Sequence, residues 1–310
     1  MVHAAAEPDH APSDVGDAAP RPARFSHVPA LDGLRGAAVA AVLLYHGSLL
    51  SRTWLAGGYL GVDLFFVLSG FLITSLLLVE FANEGRVDLL AFWGRRFRRL
   101  VPALLVVLVG VALYAVLFAR RVDLGQIRRD GLATLLYVAN WGSILRGVSY
   151  WDISLAPSPL QHTWSLAIEE QFYLFWPLIV WALARRTGSR DRERGVSLAR
   201  RIRKVALIGA VASVWLFVGL SALGASDTRV YQGTDTRAVA LLLGVAVATM
   251  RFERKQRVTP LGDAAEIARL NRLEGAGIVA MVLLGWAWVS LDGTSRVVYQ
   301  GLLPACSVAA

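Results

Sequence analysis

Arg35 and His46 stand eleven positions apart in LDGLRGAAVAAVLLYHGSLL, residues 31–50. Eleven helical steps of about 100° return to within about 20° of the starting direction, so both side chains share one face, roughly 16 Å apart along the axis. Ionisable groups in an apolar helix are costly and usually face a wet or protein-lined interior, where they mark a pathway or a reactive site. A histidine with its ordinary pKa of about 6.5 suits proton transfer near neutral pH. The plainer alternative is a snorkelling arginine and a hydrogen-bonded structural histidine.

Other polar side chains interrupt the later apolar runs. Asp63 lies in the first third of GGYLGVDLFFVLSGFLITSLLLV, residues 57–79. It is either a satisfied interface carboxylate or a partner that orients His46 across two antiparallel helices. Ser69 reads as a helix-packing residue. Arg95, Arg96, Arg98 and Arg99 crowd into five residues before the run 100–118. They form at least a positive-inside anchor. They also suit an anion site, because guanidinium forks match phosphate oxygens, with Trp93 or Phe97 to cover a ring. In HTWSLAIEEQFYLFWPLIVWAL, residues 162–183, the spacing puts His162, Glu169, Tyr173 and Trp176 on one helical face while Glu170 points elsewhere. One of the two glutamates is alternatively a structural partner for an arginine. Asp235 and Arg237 stand at a helix start in YQGTDTR. Cys306 is the single cysteine, and His46 and His162 lack an HExxH-like spacing, so no metal is expected.

These groups need helices in a bilayer to position them. Hydrophobic residues make up 55 % of the chain and charged residues 18 %, with a mean hydropathy of +0.51. The fold class is therefore all-α, a polytopic transmembrane bundle with about eight or nine apolar segments. Beyond those quoted, segments are expected at 132–146 (shorter and more polar), 205–223, 236–250, 275–291 and from 297 onward. The net charge of +9 would suggest nucleic acid in a soluble chain, but the arginines crowd between apolar runs, so no nucleic-acid partner is expected. Residues 1–30, rich in Ala, Pro, Asp and Ser, read as a disordered tail, and Arg21 and Arg24 place the N-terminus in the cytoplasm. Residues 184–204 carry nine Lys or Arg against two acids and read as cytoplasmic, as does 80–99. An even number of crossings must separate these two loops, yet three apolar segments do. One is re-entrant: 132–146 by hydropathy, or 100–118 by the arginines of 119–130.

The stretches LDGLRGAAVAAVLLYH, GVDLFFVLSGFLI, WGRRFRRLVPAL, YVANW, HTWSLAIEEQFYLFWPL and GTDTRAVALLLG, in this order, resemble the acyltransferase-3 family of bacterial membrane O-acyltransferases. The resemblance implies an acyltransferase domain of about ten helices over 31–310, continuing past Ala310, in the cell (inner or plasma) membrane. Many relatives carry an SGNH-type hydrolase domain after it. The implied reaction moves an acyl group, most often acetyl, from cytoplasmic acyl-CoA to a hydroxyl of a cell-envelope glycan, glycolipid or lipid-linked sugar. The family's arginine–x10–histidine signature lands on Arg35 and His46. Its arginine–x–x–arginine element lands on Arg95 and Arg98, or equally on Arg96 and Arg99, as a site for the phosphates of CoA. Its acidic pair lands on Glu169 and Glu170. On this reading His46 is a general base oriented by Asp63 or a glutamate, or else a covalent acyl carrier. A proton-coupled transporter and a non-catalytic envelope scaffold are the alternatives, since both accommodate buried charge.

Overall fold

The computed structural model describes residues 28–47, 55–147, 158–187, 193–256, 263–293, 295 and 298–310. All but the last residues of the expected 1–30 tail lie outside these, as do residues 48–50 of the first apolar stretch. Along the chain come α1 (Pro29–His46), a 3-10 turn at Gly58–Leu60, α2 (Gly61–Glu84), α3 (Leu89–Leu117), α4 (Arg121–Leu135) and α5 (Ala139–Arg146). They are followed by α6 (Thr163–Arg185), α7 (Glu193–Ala222), α8 (Asp227–Gln232), α9 (Thr234–Gln256), α10 (Asp263–Ser290), a π turn at Val298–Leu302 and α11 (Leu303–Ala309). No strand occurs among the described residues.

Local chemistry sets the ends. α2 stops at Gly85, whose φ of +68° is the left-handed C-terminal cap that a Cβ disfavours. Three residues later Asp88 opens α3 by accepting the Ala91 amide at 2.9 Å.

Among the described residues five helices are long and apolar enough to cross a bilayer: α2 with its preceding turn, α3, α6, α7, and α8–α9 together. A shorter apolar helix covers Glu274–Ser290. Not all of the eight or nine apolar segments expected form helices of spanning length among the described residues. Asp32, Arg35 and His46 dilute the eighteen residues of α1, and the run from 297 breaks into a π turn and the short α11. The segment 132–146 is not a span either. It is broken at Tyr137, a non-glycine residue at φ +54°, into α4 and α5. Two spans, α3 and α6, therefore separate the basic segments 80–99 and 184–204, and the parity conflict disappears.

Contacts fix the relative directions. Ser69 and Thr74 of α2 meet Tyr173 and Trp176 of α6, so these helices run parallel. Asp63 meets Arg237 while Gly70 meets Leu241, so α9 runs the same way. α1, α3 and α7 run against them: Ala41 and Ala38 cover Gly58 and Gly61, Trp93 meets Tyr173, and Gly209 meets Leu242. α2 and α9 form the centre. About two thirds of their apolar windows are buried, against 6 % of that of α3. A Cβ at Gly70 would overlap the Leu241 carbonyl, and one at Gly244 the Val67 carbonyl, so the two helices touch backbone to backbone. One apolar core gathers around Tyr59, Phe66, Trp164 and Tyr231, and a second around Leu77, Val180, Ile202 and Val245. The outward faces of α1, α3, α7 and α10 are apolar, with Leu43, Val106, Trp215 and Val282 exposed, as suits lipid contact.

Candidate active site

His46 is the last residue of α1, and its Nδ1 lies 2.8 Å from the Val42 carbonyl oxygen. A carbonyl only accepts, so Nδ1 carries the hydrogen, and in the neutral ring the Nε2 lone pair is left available as a base. Of the two readings of Asp63, the structure shows the satisfied carboxylate and not the partner of this ring. The neighbour of His46 is His162, whose ring lies edge-on with centroids 4.4 Å apart, and Tyr45 flanks the other side at 4.8 Å. His162 occupies the N-cap position of α6. Removal from water, and then the adjacent His46, hold its pKa below the ordinary histidine value.

Asp63 instead belongs to a buried framework. Arg237 Nη2 donates to its Oδ2 at 2.8 Å and Ser307 Oγ to its Oδ1 at 3.0 Å, which ties α2 to α9 and α11. The Arg237 guanidinium also stands 5.0 Å from the Tyr231 ring centroid. Asp235 does not join that pair. It takes a bidentate bond from Arg229, at 2.9 and 2.6 Å, across the Cα of Gly233.

Glu169, Tyr173 and Trp176 turn the expected α6 face to α2. The Tyr173 hydroxyl lies 2.6 Å from Ser69 Oγ and 3.1 Å from Glu169 Oε2, and Trp176 Nε1 donates to Thr74 Oγ1 at 2.9 Å. Arg35, half-buried on α1, is within electrostatic reach of Glu169. Glu170 faces α3 rather than α2. Its Oε1 is 3.9 Å from Arg96 Nη2, and the Arg96 guanidinium carbon sits 3.3 Å from the centre of the Tyr173 ring. Arg96 thereby ties Glu170 to the Tyr173 ring, while Glu169 meets the hydroxyl of the same tyrosine.

Below this cluster, between α2 and α3, opens a cavity of about 800 Å³ lined by Arg95, Arg96 and Arg99, by Glu80, Glu84 and Asp88, and by apolar residues such as Ile73 and Phe92. Glu80 bonds both the Asp88 amide at 2.7 Å and Arg95 Nη2 at 3.3 Å. Of the four arginines, Arg95, Arg96 and Arg99 line the cavity and Arg98 lies outside its lining.

Sequence reasoning missed three contributors. Ser69, read as a packing residue, touches the Tyr173 hydroxyl. Trp93 donates its indole N–H to the Tyr173 carbonyl at 3.1 Å. A buried ring of amides holds α5 in place. Asn140 Nδ2 donates to Thr234 Oγ1 at 2.9 Å, Thr234 Oγ1 to Gln171 Oε1 at 2.6 Å, and Gln171 Nε2 to Asn140 Oδ1 at 3.0 Å. Asn140 and Gln171 also donate to the carbonyls of Gln232 and Tyr137, at 3.1 and 2.8 Å. The signal for Asn140 and Tyr137 was present in YVANW, but a motif does not name its partners. Among the described residues no three His, Cys, Asp or Glu side chains converge.

A family model described as an acyltransferase domain matches residues 28–305. The chain is similar to the peptidoglycan O-acetyltransferase OatA of Listeria monocytogenes, 43 % identical over 244 residues, covering 77 % of this chain and 37 % of that protein. It is 42 % identical over 222 residues to the O-acetyltransferase OatA of Staphylococcus aureus, covering 72 % of this chain and 34 % of the relative. It is 43 % identical over 222 residues to the putative peptidoglycan O-acetyltransferase YrhL of Bacillus subtilis, covering 72 % and 33 %. It thus spans about a third of the length of these curated relatives. No solved structure matches it.

Proposed function

The chain belongs to the acyltransferase family, and from that premise we propose that it forms the membrane-embedded transfer part of an O-acetyltransferase that acts on a cell-envelope glycan, with its N-terminus in the cytoplasm. One observation carries the reading: polar side chains line α6 from the arginine-walled cavity, through Glu170, Tyr173 and Glu169, to the His46–His162 pair. From Glu170 to His162 is eight residues, about 12 Å of helix.

Acyl-CoA is the donor on this reading. Arg96 and Arg99 supply guanidinium forks for its phosphates, and Arg35, roughly 16 Å along α1 from His46, holds the pantetheine arm between the phosphates and the thioester. His46 Nε2 removes the proton of the acceptor hydroxyl as that oxygen adds to the thioester carbonyl carbon. The carbon–sulfur bond then breaks, the thiolate leaves and takes the proton from the imidazolium, and the ester stays on the acceptor. Trapping of an acyl-imidazole by rapid quench would make His46 a covalent carrier instead. The relatives' names make peptidoglycan the first acceptor to test. Asp63, Arg237 and Asp235 serve as framework.

The test is mild-base-labile acetate on envelope glycans of cells expressing the full-length protein or His46→Ala at matched levels. Ester with the unsubstituted protein and none with the variant is the expected result. Equal ester in both strains overturns the role of His46.

A further inference from the structure

Pro177 interrupts α6. Proline has no amide hydrogen, so the carbonyl four residues earlier, that of Tyr173, loses its helical donor, and the pyrrolidine ring pushes it outward. Inside a bilayer such an oxygen has no water to turn to and must find a donor on a neighbouring helix. Trp93 of α3 provides it, with Nε1 at 3.1 Å.

We infer that Trp93 and Pro177 form a latch between α3 and α6 that sets Arg96 on the Tyr173 ring, which makes Trp93 a positioning residue for the arginine-walled cavity. The sequence offers Trp93 or Phe97 to cover a ring of a bound anion, and the Trp93 N–H is committed to α6. Three observations converge. Arg96 follows Trp93 by three residues, so both emerge on one side of α3. They close on the same residue of α6, Trp93 on its carbonyl and Arg96 on its ring at 3.3 Å. Elsewhere α3 is thinly covered: Phe92 and Leu104 are its buried residues, and the apolar window that follows is almost bare. The latch therefore fastens α3 where its arginines wall the cavity. Its effect on a donor rests on the function proposed above.

The test uses a rescue that a merely space-filling tryptophan would not permit. In Pro177→Ala the new amide at position 177 can donate to the Tyr173 carbonyl, so that oxygen no longer depends on Trp93. We expect Trp93→Phe to weaken coenzyme A binding to the full protein in lipid nanodiscs about five-fold. We expect KM for acetyl-CoA to rise by a similar factor with kcat little changed. In a Pro177→Ala background the same substitution should change binding less than about two-fold. Equal effects in both backgrounds, or none in either, overturn the latch.

If coenzyme A does not bind the unsubstituted protein, the donor reading falls, and the latch is judged by geometry alone. The measurement is then dipolar broadening between spin labels at Leu90→Cys on α3 and Leu174→Cys on α6, both exposed positions. Trp93→Phe should widen the separation and Pro177→Ala should restore it. An unchanged separation overturns the inference.

Discussion

Replacing Arg96 by alanine removes two interactions at once. Its guanidinium lies 3.3 Å from the centre of the Tyr173 ring in a mostly buried setting, where such a contact contributes about 2 kcal/mol. It also stands 3.9 Å from Glu170. Glu170 Oε1 has no hydrogen-bond partner among the described residues, so the truncation leaves a buried carboxylate without its cation. At 3.9 Å, with part of each side chain in reach of water, that loss adds roughly 1 kcal/mol. Together they cost the folded bundle about 3 kcal/mol, and the lost charge-assisted bond to a donor phosphate, about 1.5–3 kcal/mol, predicts a fall of about 10- to 100-fold in kcat/KM for acetyl-CoA. The assay is steady-state transfer by the full protein in nanodiscs at varied acetyl-CoA. Arg98→Ala, outside the cavity lining, is the control and should change kcat/KM less than about two-fold. Arg96→Ala with Glu170→Gln should fall short of the summed single effects by about 1 kcal/mol, because the second substitution removes the stranded charge. Equal losses for Arg96→Ala and Arg98→Ala would refute the cavity assignment. Strict additivity with Glu170→Gln would refute the pairing.

Three further outcomes follow from the geometry. Gly244→Ala should cost about 3 kcal/mol or more, because its Cβ would overlap the Val67 carbonyl, whereas Gly219→Ala meets nothing within 4 Å and should be near neutral; the recovery of monodisperse protein in detergent compares the two. Asp63→Leu alone strands a buried guanidinium and should cost about 3–5 kcal/mol, while Asp63→Leu with Arg237→Leu should regain most of the folded yield. His162 is held below its ordinary pKa, so the unfolded chain binds more protons than the folded one, and its stabilising contribution, complete above about pH 6.5, is lost as the pH falls. Thermal unfolding at pH 5 and pH 7.5 should therefore show a smaller acid-side drop for His162→Asn than for the unsubstituted protein, and equal drops would refute this.

Much of the site was legible because helical phase is local. The spacing of Arg35 and His46, and of Glu169, Tyr173 and Trp176, fixes a face without knowledge of what lies opposite. The orphan carbonyl at Tyr173 could also have been read from Pro177 alone. What was not legible depends on pairings between distant helices. Asp63 reaches Arg237 because Gly70 and Gly244 let α2 and α9 approach, and nothing near Asp63 in the chain records that approach. Which arginines line the cavity depends on which face α3 turns to α2. The break at Tyr137 carries neither glycine nor proline, so hydropathy carried the expected segment straight through it.

The amide ring of Asn140, Thr234 and Gln171 has a sense of rotation. Each member donates to the next in one direction around the cycle. Two backbone carbonyls outside the ring, which can only accept, dictate which end of each amide is nitrogen. The cycle therefore cannot be run backwards. Shape alone does not satisfy it: Asn140→Asp or Gln171→Glu would fit the space yet present an oxygen to a carbonyl. The three helices are thus keyed like a lock that accepts one orientation, and α5 has a single seat on the bundle.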